Sequence, residues 1–237
     1  MTMLDERLSL AYGLYPACRL AADIGTDHAH LPAALLQRGR CQHMVLTDRS
    51  PSALDNARRE MVRRRLLDRV TLCLGEGLSP LSGPCEAISV TGMGGRTIRE
   101  ILLSGRQKLQ GATLILSAHT DWPLIRAALM DIGYHADREE PCFAAGRFYL
   151  VIRALPGAVS LSAQELRLGT CLFESASPCL IPFLARRRDI LAHELKGLKS
   201  AEVPDTALME QVLADMDSYT RKINMIGGKA HDSQADL

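Results

Sequence analysis

The chain has 237 residues, 47% of them hydrophobic and 23% charged, with a formal net charge of +1. That length suits one sizeable α/β domain with a smaller appendage, and the near-neutral balance excludes a global basic field. No apolar run approaches a membrane span, and the opening Met1-Thr-Met-Leu-Asp-Glu-Arg7 lacks a signal-peptide core. Seven dispersed cysteines with no Cys-x-x-Cys pair read as reduced thiols in the cytoplasm, and a zinc site is not expected.

Through the first two-thirds, short β-rich runs alternate with helical patterns, which implies a parallel sheet with helical crossovers. Strands are expected at residues 19–24, 43–47, 70–74, 87–91, 113–117, 135–140 and 148–154. Helices are expected at 31–38 and 98–103, and a third opens at Ser50-Pro51, where serine can cap and proline can take the first turn. The last two strands are joined by Pro141-Cys-Phe-Ala-Ala-Gly-Arg147, a loop short enough for an antiparallel hairpin. Five βα units followed by such a pair match the Rossmann-like seven-stranded sheet of class I methyltransferases, with the last strand antiparallel.

Leu155-Pro-Gly157 marks the expected end of this domain, residues 1–156. A helical coiled-coil appendage is expected over 157–228. Leu184, Leu191, Leu195 and Leu198 share one stripe; Pro204 is expected to end that helix and Asp205 to cap the next. Val212, Met216, Tyr219, Ile223 and Ile226 then recur in alternate steps of four and three, a heptad seam. Gly227-Gly228 should stop the second helix, and the patternless residues 229–237 should be disordered. Two basic clusters stand out. Residues 58–69 carry six arginines against two acids, and Arg186-Arg187-Arg188 forms the second; either can be a solvated helix face or a phosphate contact.

The chemistry concentrates at the expected strand ends. The first strand closes on Asp23-Ile-Gly25, the second on Asp48-Arg49, and the third leads into Gly75-Glu76-Gly77. A nucleoside across the top of a parallel sheet needs this series: a glycine for close backbone approach, an acid for the ribose hydroxyls, and a loop beside the adenine. Two cofactors compete for it. A dinucleotide wants a Gly-x-Gly-x-x-Gly turn for its pyrophosphate. Here one glycine is followed by Thr26, Asp27 and His28. Asp27 would repel a pyrophosphate and suits the cationic sulfonium of S-adenosylmethionine.

Asp27 and His28 sit where cofactor and substrate should meet. Asp27 can accept from an exocyclic amine, or it can merely cap the following helix. The fourth strand runs into Thr91-Gly92-Met93-Gly94-Gly95, glycines that allow a flat base to approach the backbone. The Asn/Asp-Pro-Pro-Tyr/Phe signature of exocyclic-amine methylation is absent, which favours a ring nitrogen as acceptor.

Asp23-Ile-Gly-Thr-Asp-His-Ala-His-Leu-Pro32, Gly75-Glu-Gly-Leu78, Thr91-Gly-Met-Gly-Gly95, Leu4-Asp-Glu-Arg7 and Gly146-Arg-Phe-Tyr-Leu-Val151 resemble the bacterial tRNA adenine-N1 methyltransferases of the TrmK family. The resemblance spans residues 4–154 and, more loosely, the helical tail. It implies methyl transfer from S-adenosylmethionine to N1 of adenine 22 in tRNA. It also implies catalytic roles for Asp27, His28 and Arg7, and cofactor contacts from Asp23, Gly25, Thr26, Asp48, Arg49, Glu76, Gly77 and Thr91. Substrate contacts are expected from Gly92, Met93, Gly94, Gly95, His119 and Tyr149, with no metal and no membrane, and with the oligomeric state open. One departure stands out: Ser117-Ala-His119 replaces the family's Gln-Pro-Asn after the fifth strand. The competing readings are a methyltransferase with a non-RNA substrate and a non-catalytic RNA-binding protein on the same fold.

Overall fold

In the computed structural model the described residues are 4–232 except 202 and 204, with side chains to 227. The chain divides into two compact units, Met1–Leu172 and Phe173–Leu237.

The first unit is a seven-stranded sheet in the order β3-β2-β1-β4-β5-β7-β6. Its strands are β1 (Cys18–Ile24), β2 (Cys41–Asp48), β3 (Val70–Leu74), β4 (Ala87–Thr91), β5 (Thr113–Ala118), β6 (Tyr134–Ala144) and β7 (Arg147–Pro156). The first five are parallel; β7 runs antiparallel to both β5 and β6. The helices are α1 (Glu6–Leu14), α2 (His30–Gln37), α3 (Pro51–Arg63), α4 (Gly95–Ser104), α5 (Arg106–Leu109), α6 (Trp122–Asp131) and α7 (Ala163–Leu168). The side chains Leu8 and Ala11 of α1, Leu31, Leu35 and Leu36 of α2, and Ala57 and Met61 of α3 join Met44 and Leu46 of β2 in one buried cluster. Central β4 is covered on both faces, with Ala87, Ile88, Ser89 and Val90 fully buried.

Ser50 caps α3 as expected, its hydroxyl accepting from the Ala53 amide with proline in the first turn. Strand order reverses between β1 and β4, so the connections leaving their carboxyl ends diverge, the place where such sheets open a crevice.

Three expectations need correction. The β6–β7 hairpin has no long loop: β6 continues through Pro141 to Ala144, and only Ala145 and Gly146 turn the chain, at φ 48° and 76°. Two successive left-handed residues make the tight turn whose twist suits a hairpin.

The first unit does not end at 156. Arg126 of α6 is 3% exposed and donates from Nε to Glu139 of β6 at 2.6 Å and from Nη1 to the carbonyls of Leu166 and Arg167 at 2.9 and 3.2 Å. The other Glu139 oxygen accepts from the Leu172 amide at 3.0 Å. This buried clasp keeps α7 and the chain up to Leu172 with the sheet.

In the second unit, α8 (Leu180–Lys199) and α9 (Thr206–Asp232) pack as a hairpin. Leu184 and Leu195 of the α8 stripe and Val212 and Tyr219 of the α9 seam are buried. Asp205 caps α9 through the Leu208 amide at 3.0 Å. The stop assigned to Pro204 lies outside the described residues. Gly227-Gly228 does not end α9, which continues to Asp232. Of the tail expected to be disordered, 229–232 is therefore helical and 233–237 lies outside the described residues.

A candidate active site at the strand ends

The turn after β1 departs most from ordinary backbone. Gly25 stands at φ 71°, and a Cβ on it would collide with the Met93 methyl group. Its amide and that of Thr26 donate to the Thr47 carbonyl at 2.8 and 3.1 Å, locking the turn against β2. Asp27 and Ala29 follow at φ 39° and 51°. Two non-glycine residues in the left-handed region cost roughly 1–3 kcal/mol each, strain typical of functional turns.

Asp27 does not cap α2, whose N-cap is Ala29 with no side-chain bond. Its carboxylate accepts instead from Asn56 Nδ2 of α3 at 3.3 Å and lies 3.5 Å from His28 Nε2. Asn56 is oriented in turn by Arg59, whose Nη2 donates to its side-chain oxygen at 2.5 Å. The Asp27 amide donates to Asp48 Oδ2 at 3.4 Å, and Asp48 Oδ1 accepts from the Ser50 amide at 2.9 Å. His28 stacks on His30 with ring centres 5.6 Å apart.

Two cavities meet over this turn. The first, about 480 Å³, is lined by Gly25, Asp48, Arg49, Glu76, Gly77 and Thr91, anticipated with the cofactor, and by Gly92, Met93 and Gly94, anticipated with the substrate; Met93 and Gly94 do not line the second cavity. The first also has Thr97, Glu100, Ile101 and Ser104 along one side of α4, which sequence reasoning missed. Their spacing of three and four was the available signal, but a polar helix stripe ordinarily faces water. The second cavity, about 350 Å³, is lined by Arg7, Asp23, Thr26, Asp27, His28, His30 and Tyr149 among others. Gly25, Thr91 and Gly92 belong to both.

Arg7 reaches across the second cavity. Its guanidinium carbon is 5.3 Å from the centre of the Tyr149 ring, and Nη1 is 3.1 Å from where a Cβ on Gly92 would stand. Gly92 stands at φ 82°, a conformation that favours glycine.

Some anticipated residues lie elsewhere. Asp23 and Thr26, expected with the cofactor, line the second cavity and not the first. His119 lines neither but stands edge-on to Tyr149, ring centres 5.6 Å apart. Gly95 begins α4 and is pressed against the backbone of Thr120 and Asp121.

Asp23 is buried and accepts from Ser89 Oγ at 2.5 Å. Burial pushes its carboxyl up to about 6 and nearby Asp48 adds to the rise, while the Ser89 and Thr26 hydroxyls and the Arg7 charge oppose it. A carboxyl whose native pKa lies above its unfolded value stabilises the fold while protonated, and that contribution is lost as pH rises through the native value. Thermal unfolding of the free protein should therefore show wild type losing stability relative to Asp23→Asn between about pH 4 and pH 6. Parallel pH profiles for the two proteins would mean that Asp23 titrates normally.

The arginine run divides by use. Arg69 donates to the carbonyls of Leu36, Cys41 and Gln42 at 2.8–3.0 Å, and Arg63 and Arg64 close on Glu60. Arg58 and Arg65 are exposed. Among the described residues no group of three or more His, Cys, Asp or Glu is placed to hold a metal ion, and no helix is long and apolar enough to cross a membrane.

Residues 4–152 match the model of a family described as a methyltransferase domain. The tRNA (adenine(22)-N(1))-methyltransferase of Bacillus subtilis (strain 168) is 28% identical over 188 residues, 78% of this chain and 76% of that protein. The crystal structure of the B. subtilis m1A22 tRNA methyltransferase TrmK superposes with a TM-score of 0.82 at 23% identity, covering 94% of this chain and 100% of that one. The structure of M. capricolum TrmK in complex with S-adenosyl-homocysteine superposes with a TM-score of 0.78 at 22% identity, covering 94% and 99%.

Proposed function

Because this chain belongs to the methyltransferase-domain family, we propose that it transfers a methyl group from S-adenosylmethionine to N1 of adenine 22 in tRNA. One observation carries the reading: two cavities, one suited to a phosphate-free nucleoside and one to a base, share Gly25, Thr91 and Gly92 in their walls. The B. subtilis relative, a tRNA (adenine(22)-N(1))-methyltransferase, supports the choice of substrate and acceptor atom.

The first cavity fits S-adenosylmethionine by its donor set. Asp48 can accept from the ribose hydroxyls, Glu76 and Gly77 border the adenine, and the turn at Gly25 offers no cluster of amides to a pyrophosphate. When bound, the cofactor supplies an electrophilic methyl group on a sulfonium.

In the second cavity Asp27 accepts from the N6 amine of the target base and so leaves the N1 lone pair aimed at the shared wall. Methylation makes the base cationic, and the Asp27 carboxylate, held by Asn56, faces the charge as it develops. Tyr149 and Arg7 bound the space that the ring would occupy. No general base is needed to free a ring lone pair; alignment and exclusion of water suffice. Such an enzyme works where tRNA is, in the cytoplasm.

The test is methyl transfer from labelled S-adenosylmethionine to total bacterial tRNA, followed by nucleoside analysis. Labelled 1-methyladenosine is expected. Cofactor binding without labelled RNA would favour a non-RNA substrate, and no heat of cofactor binding would favour a scaffold protein.

The helical hairpin is proposed to hold the tRNA through its backbone. Removing residues 173–237 leaves the Arg126–Glu139 clasp and α7 in place. That truncation should weaken tRNA binding by roughly tenfold or more, as loss of several phosphate contacts does, while cofactor affinity stays within about twofold. Unchanged tRNA affinity in a gel-shift titration would assign the hairpin another task.

A further inference from the structure

Aromatic side chains are scarce in this chain, with one Trp, five Tyr and four Phe, and three of these ten stand together at one hairpin tip. Ala118, the last residue of β5, pairs with Leu150. Residues 147–149 and their partners 142–144 therefore overhang the sheet edge, by about 10 Å at the usual strand rise. That is the edge on which both cavities open.

Successive strand residues face opposite sides. Tyr149 faces the second cavity, with Arg7 over its ring and His119 at its edge. Phe148 faces the other way. It is paired across the ladder with Phe143, ring centres 5.0 Å apart and planes inclined by 66°. Phe143 is 49% exposed, the one exposed aromatic among the described residues. The two-residue turn at Ala145-Gly146 makes the tip stiff, and Arg147 beside it is exposed.

We propose that the β6–β7 hairpin is a blade that enters the RNA beside the target nucleotide, Phe143 stacking on the base next in the strand while Tyr149 borders the extruded adenine on the opposite face. The proposal rests on the tRNA reading and adds to it a surface and a manner of engagement. N1 lies on the pairing edge of adenine, so the base must leave its stack before it can react. Its departure opens a gap, and a flat apolar ring held on a rigid strand fills that gap at little entropic cost. The Phe148 edge braces Phe143 from behind, and Arg147 is placed to meet a phosphate at the point of entry. Phe143 is exposed and lines neither cavity, so its replacement should leave fold and cofactor binding intact.

The experiment uses the full chain and a tRNA carrying 2-aminopurine at the target position. Phe143→Ala and Phe143→Leu should each raise the tRNA Kd roughly tenfold, the scale of one lost stacking platform. Both should also blunt the rise in fluorescence that marks extrusion. Phe143→Trp should restore both readings, with Tm and cofactor Kd unchanged throughout. Wild-type behaviour of Phe143→Ala would overturn the blade alone. A leucine variant as good as wild type would overturn stacking and point to apolar packing against a protein partner. Failure of the wild type to bind tRNA, with cofactor binding intact, would overturn the tRNA reading and the blade with it.

Discussion

Asp27→Ala should lower kcat for RNA methylation by about 10²–10³-fold and leave cofactor affinity within about twofold, the loss seen when one preorganised group facing developing charge is removed. The carboxylate follows the turn shared by the two cavities but lines only the second. Its backbone is fixed by Asp48 and its side chain by Asn56, so little reorganisation is needed when the base becomes cationic. Asp27→Asn keeps the size and one acceptor oxygen but not the charge, and should fall between wild type and alanine. Single-turnover rates at saturating RNA, with calorimetry for the cofactor, separate the two effects. Equal loss of cofactor affinity would place Asp27 in the cofactor site, and near-normal rates would remove it from the chemistry.

The largest effect on stability is expected at Arg126. Arg126→Ala leaves Glu139, whose side chain is fully buried, without its cation and leaves two carbonyls of the α7 end without a donor. Breaking a buried pair from one side costs about 3–5 kcal/mol. The only tryptophan, Trp122, lies on the same helix with its indole N–H donating to Ala118, and reports unfolding directly. Urea titration followed by that fluorescence should show the midpoint falling sharply. Replacing both partners by apolar residues of similar volume should recover most of the loss, because no buried charge is then stranded. A small effect from Arg126→Ala would mean that water reaches Glu139 and that the clasp is open in solution.

Much of the fold is legible because the central parallel strands β4 and β5 are buried on both faces, and all five parallel strands read as short apolar runs between helical segments. The position of the hairpin turn is masked in the sequence for a physical reason. Pro141 resembles a strand breaker, yet β6 is the outermost strand, where a missing amide costs no ladder bond. The extent of the first unit was hidden because Arg126 captures carbonyls forty residues downstream, a partnership no local pattern encodes. Gly227-Gly228 resembles a stop, but glycine within a helix costs only about 1 kcal/mol and ends it only when another conformation competes.

At the site, the strand-end acids and glycines were visible because their spacing is dictated by the sheet. Asn56 and Arg59 were not, since on α3 they look like any polar helix face. Only the fold shows that this face turns toward Asp27.

The wall common to the two cavities has a kinetic corollary. Among the described residues Gly25, Thr91 and Gly92 are the ones that line both, so under the proposed reaction the two reactants would meet across one narrow wall. Under the proposed reaction neither occupant blocks the other's exit. Binding in no compulsory order is then the expected result, with spent cofactor exchanged while the nucleic acid stays in place, and product-inhibition patterns check it.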